Sequence, residues 1–111
     1  MKREPELFLK DIIDSVDKIQ DYTENVSFEE FCEDTEKQDA VLRRLEIIGE
    51  AAKNIPNPFK EEHPEISWKS AAAMRDVLSH EYFGVKPDLV WETIEKDLPT
   101  LKSSISKLVD D

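Results

Sequence analysis

The chain has 111 residues, enough for one domain and too few for two independent cores. Its 39% hydrophobic and 37% charged residues exclude a low-hydrophobicity disordered chain. No apolar run approaches the roughly 18 residues that cross a bilayer. The formal charge of −11, from 15 Lys and Arg against 26 Asp and Glu, is a poor bulk match to the phosphates of RNA or DNA and suits a basic protein partner.

The spacing of apolar residues repeatedly predicts helices. From Pro5, a good first-turn residue, a stripe runs through Phe8, Leu9, Ile12, Ile13, Val16 and Ile19 and fades near Asn25. Ser27, three residues before Glu30, has the spacing of a capping box and predicts a short turn through Phe31. A long helix is expected from Asp34 or Thr35 to about Asn54, with Val41, Leu42, Leu45, Ile48, Ala52 and Ile55 inward. Pro56 and Pro58 stop it, and a connector follows to Ile66 with room for one helical turn.

Ser67 is placed to cap a third long helix that starts at Trp68, carries Ala71, Ala72 and Ala73, and is expected to reach about Tyr82 before Gly84. Pro87 opens the last helix, with Leu89, Val90, Trp91, Ile94 and Leu98 as buried candidates. Pro99 predicts a kink or a division before Leu101, Ile105 and Leu108. The expectation is an all-α chain: one domain over 1–111, an antiparallel four- to five-helix bundle whose broad apolar faces suit a homodimer. The N-terminus lacks the long apolar stretch of a secretory signal, so cytoplasmic residence is expected. Cys32 is the sole cysteine, which excludes an intrachain disulfide and a thiolate zinc cluster. His63 and His80 belong to no compact metal-ligand motif, and no metal or cofactor is expected.

Chemistry concentrates in MRDVLSHEYFGV, residues 74–85. On one straight helix Arg75 and Tyr82 project from nearly the same face, about 10 Å apart along the axis. Arg75 and His80 point roughly 140° apart, so a local bend or two subunits would bring them together. RNA cleavage by the neighbouring 2′-hydroxyl needs a proton acceptor, a proton donor and stabilisation of a crowded phosphorane. A histidine titrating near neutrality supplies proton transfer, and arginine offers a fixed fork of donors to phosphate oxygens. Each residue also has an ordinary use. His80 suits a hydrogen-bonded polar position, Arg75 a pair with Asp76, Glu81 or another acid, and Tyr82 packing. His63, beside Pro64, reads as a surface histidine.

Arg75, four intervening residues, His80, one residue and Tyr82 form an Arg-x4-His-x-Tyr motif that resembles the HepT-like (DUF86) branch of the HEPN superfamily. RRLEIIGEAAKNI (43–55), HPEISW (63–68) and LVWETIEKDLP (89–99) extend the likeness over nearly the whole chain in consistent order. The resemblance implies a helical homodimer with paired motifs in an interfacial cleft. It implies a metal-independent endoribonuclease toxin acting on single-stranded RNA, with Arg75 and His80 catalytic and no cofactor of its own. It further implies a cognate minimal nucleotidyltransferase antitoxin that uses ATP to place AMP on Tyr82, adding charge and bulk where RNA must enter. This subgroup most often has asparagine after the motif arginine. Asp76 stands there instead, as a supporting residue that cannot donate an amide hydrogen bond and whose charge disfavours phosphate. Ala73 replaces a frequent glycine and is compatible with a helix. The alternative reading is a non-catalytic helical binding and acceptor subunit of a nucleotidyltransferase complex.

Overall fold

A computed structural model describes residues 4–75 and 87–109. Among them the chain is all-helical, in keeping with a HEPN-like helical bundle. Helix α1 (Pro5–Thr23) starts on Pro5, and buries Leu9, Ile12, Val16 and Ile19 along one stripe. The chain then passes Asn25, whose φ of 60° is the one left-handed non-glycine conformation among the described residues.

Helix α2 (Phe28–Glu33) has the capping box that its sequence predicts. The Glu30 N–H donates to Ser27 Oγ at 3.1 Å, and the Ser27 N–H donates to Glu30 Oε1 at 3.1 Å. Helix α3 (Thr35–Asn54) begins where expected, with Asp34 Oδ1 accepting from the Lys37 N–H at 3.0 Å. Gln38 Nε2 donates to the carbonyls of Phe31 and Cys32, and so closes the end of α2. Lys37 Nζ donates to the Tyr22 carbonyl at 2.7 Å, which sets the start of α3 beside the end of α1. At the other end Phe8 and Asp11 of α1 share a hollow with Glu50 and Asn54, so the two long helices run antiparallel. All six inward residues expected on this stretch are buried.

Helix α4 (Asn57–Glu62) supplies the single turn allowed for in the connector. His63 is not a free surface side chain. Its ring lies 4.6 Å from that of Phe59, its Nδ1 is 3.4 Å from Glu65 Oε2, and its carbonyl accepts from Trp68 Nε1 at 2.9 Å. Helix α5 (Trp68–Ala73) starts where expected. Ser67 stands at the capping position, but its side chain makes no capping bond. The regular helix stops at Ala73, and Met74 and Arg75 form a turn in which each N–H reaches back three residues, to Ala71 and Ala72. Such bonds tighten a helix end. The expected continuation to Tyr82 and the Gly84 cap lie outside the described residues.

Helix α6 (Pro87–Glu92) runs through a π-helical turn (Thr93–Asp97) into α7 (Leu98–Val109). Pro99 therefore does not divide the helix. Its ring would meet the carbonyl of Glu95 in regular α-geometry, and the wider turn immediately before it takes up that conflict. Val90, Ile94, Leu98, Leu101 and Ile105 are buried, and Trp91 packs on Phe28 and Phe31 with centroids 6.0 and 5.2 Å away. Leu89, expected inside, is 54% exposed, because the inward arc is set by Val90 and Ile94 and Leu89 falls off it. An ion pair between Lys102 and Asp17 ties α7 to α1. No described helix is long and apolar enough to cross a membrane.

Candidate active site

Of the four residues singled out by the motif, Arg75 is described, and Asp76, His80 and Tyr82 lie outside the described residues. The geometry around Arg75 is built by α3. Gly49 is buried there, and a β-carbon placed on it would come within 2.6 Å of Arg75 Cβ, 2.7 Å of the Arg75 nitrogen and 3.0 Å of the Ala72 carbonyl oxygen. No real β-carbon tolerates such distances to backbone. Gly49 therefore lets the α5 turn press directly onto α3, which is the circumstance in which a glycine inside a helix is worth its conformational cost.

One residue on, Glu50 Oε1 lies 2.8 Å from Arg75 Nη1. Both side chains are partly open to solvent, 48% and 33% exposed. The arginine is thus held at its root by Gly49 and at its head by Glu50. Neither residue is singled out by the hydrophobic pattern. The available signal was Gly49 itself, one of two glycines in the chain and set in the middle of a strong helix.

Glu50 also lines a shallow hollow of about 280 Å³ with Phe8, Asp11, Arg43, Glu46 and Asn54, over an apolar floor that includes Ile47 and Ala51. Arg43, seven residues before Glu50, shares its face of α3 and pairs loosely with Glu46 at 3.4 Å. Arg44 faces a different, larger hollow with Asp11, Asp14, Asp17 and Asp21. The two neighbouring arginines thus line different hollows: Arg43 shares one with Glu50, and Arg44 shares the other with four aspartates and Lys18. Chemically, this face offers the Arg75 guanidinium paired with Glu50, a second arginine two turns before Glu50 on α3, and carboxylates that limit the net positive charge. That is an arrangement for a small number of phosphate contacts rather than for bulk polyanion binding.

A helical bundle with an arginine set on its surface at the head of an Arg-x4-His segment defines a class, and comparison with known proteins identifies it. The family model described as "HepT-like: Ribonuclease HepT-like" matches residues 12–108. The chain belongs to the HepT-like ribonuclease family. It is 49% identical over 108 residues to the "Probable ribonuclease HepT" of Thermococcus cleftensis, covering 97% of this chain and 98% of that one. It is 43% identical to "Putative RNase MJ1216" of Methanocaldococcus jannaschii, over 99% of this chain and 91% of the relative. It is 41% identical to "Putative RNase TTE0752" of Caldanaerobacter subterraneus, over 95% and 94%. No solved structure matches significantly.

Proposed function

We propose that this protein is a metal-independent endoribonuclease that cuts single-stranded RNA by acid–base transesterification and serves as the toxin of a two-component toxin–antitoxin system. The observation that carries this reading is the family match across 12–108 together with Arg75, His80 and Tyr82 at the Arg-x4-His-x-Tyr spacing.

In this mechanism His80 removes the proton from a ribose 2′-hydroxyl, whose oxygen attacks the adjacent phosphorus. The bond to the 5′-oxygen breaks and that oxygen takes up a proton, which leaves a 2′,3′-cyclic phosphate on one fragment and a 5′-hydroxyl on the other. Arg75 donates to the non-bridging oxygens as charge builds on the phosphorane. In a homodimeric cleft the two copies of His80 divide the base and acid duties. Deoxyribose lacks the internal nucleophile, so DNA is not a substrate. A cytoplasmic minimal nucleotidyltransferase partner silences the toxin by transferring AMP from ATP to Tyr82, which places a phosphate where the RNA backbone enters.

The test is cleavage of a defined single-stranded RNA by the unmodified protein and by His80→Ala, with EDTA present and product ends identified. Cleavage by the wild type alone, with cyclic phosphate ends, is the expected result. Equal cleavage by His80→Ala rejects the mechanism.

A second reading is favoured by specific observations: the Arg75 guanidinium is already engaged by Glu50, Asp76 adds negative charge beside it, and the chain carries −11 overall. In that reading the protein is a non-catalytic acceptor subunit that presents Tyr82 to its nucleotidyltransferase. Stable complex formation and Tyr82 modification with no cleavage by either protein, on RNA of varied sequence, selects it.

A further inference from the structure

We propose that Glu50 is a positioning residue for Arg75: its carboxylate on α3 orients the guanidinium so that the remaining donors of the fork face the scissile phosphate. The proposal rests on the ribonuclease reading above and adds to it a residue outside the Arg-x4-His-x-Tyr motif.

Three observations carry it. Glu50 Oε1 sits 2.8 Å from Arg75 Nη1, and no other carboxylate among the described residues forms an ion pair with Arg75. Glu50 occupies the interior of a 20-residue helix, so its backbone is fixed. The adjoining Gly49 brings α3 so close to the Arg75 backbone that the root of the arginine is fixed by the same helical turn. Helix α3 thus grips the arginine at two points. Exposed ion pairs of this kind contribute little to stability, so the arrangement is better explained by geometry than by folding. An arginine side chain is long and free to rotate, and holding it before substrate arrives removes an ordering cost from the chemical step. Among the described residues the ion pair engages Nη1, and the proposal assigns Nη2 and Nε to phosphate oxygens. The same carboxylate lowers the net positive charge at the site, so it disfavours substrate binding while favouring transition-state stabilisation. Those opposed effects are what separates a positioning residue from a structural one.

The experiment measures kcat and KM for cleavage of a single-stranded RNA by wild type, Glu50→Ala and Glu50→Gln, with thermal melting of each protein. Side-chain nitrogen NMR of the Arg75 guanidinium in the three proteins accompanies it. The expected result for Glu50→Ala is a kcat lowered about tenfold with KM unchanged or lower, and a Tm lowered by no more than about 5 °C. Glu50→Gln, which keeps an oxygen acceptor, recovers part of kcat. The Arg75 guanidinium signals shift toward those of a freely rotating arginine in Glu50→Ala. An unchanged kcat, or a raised KM with kcat intact, overturns the proposal. If the wild type cuts no RNA the ribonuclease reading fails by itself, and the NMR arm still decides the contact: unchanged Arg75 signals in Glu50→Ala overturn the positioning role.

Discussion

The two ends of α3 are secured by different means. At its start, Asp34 accepts from the Lys37 N–H, Gln38 closes α2, and the Ser27–Glu30 box begins that preceding turn. These contacts link residues at most seven apart in the chain and are written in short sequence patterns. At its far end, Gly49 and Glu50 meet Arg75, some 25 residues later, through a close backbone approach and a single ion pair. The first end is built by local rules. The second is built by packing and sets the arginine on which the proposed chemistry depends. Changes at the first should therefore cost stability with little change in chemistry, and changes at the second should do more to chemistry than their stability cost explains.

The largest stability effect is expected at the packed end. Gly49→Ala gains helix propensity but forces a methyl against the Arg75 backbone, for a net loss of about 2 kcal/mol in urea denaturation. RNA cleavage should fall further than that loss of folded protein explains. A neutral or stabilising result would show that the α5 turn moves away easily. Ser27→Ala removes one half of the capping box and should cost about 1 kcal/mol, with kcat unchanged at a temperature where the protein is folded. A matching fall in kcat would mean that the two ends are coupled. A smaller gain is expected from Ser15→Ala: the buried Ser15 hydroxyl has no hydrogen-bond partner among the described residues, so the variant should unfold at equal or higher urea concentration.

The smallest effect is one of pH. The Glu30 carboxylate is held below the ordinary glutamate range, first by the Ser27 backbone N–H, then by the Ser27 side chain. A lowered folded value means that its contribution is complete above the pKa of an unfolded glutamate and is lost as pH falls through the folded one. The Ser27 amide resonance, followed by NMR into acid, should report a midpoint below that of an unstructured glutamate. A midpoint at or above it would contradict the box as drawn.

The same contrast explains what the sequence made legible. The Ser27 cap, the start of α3 and its buried stripe follow from local rules, and the structure repeats them. Ser67 was expected to cap α5 by the same kind of rule, but its side chain makes no such bond. Pro99 predicts a kink or a division, and the chain is not divided there: the π-helical turn before it is a response of the packed chain and has no local signature. Hydrophobicity alone places Leu89 inward, while Val90 and Ile94 fix the arc and leave it exposed. Around the candidate site, the motif names Arg75 from sequence, whereas its contact with Glu50 is visible only when α3 and α5 are packed together. The Gly49 backbone contact explains both why that glycine lies inside a helix and why the adjacent acid reaches the arginine.

The most direct measurement of the central claim pairs the two ends in one assay: kcat for RNA cleavage and Tm for Arg75→Ala and Ser27→Ala, each against wild type. Arg75→Ala should lower kcat by about a hundredfold or more with only a small change in Tm, and Ser27→Ala should lower Tm and leave kcat intact. Cleavage by Arg75→Ala at the wild-type rate would contradict the central claim.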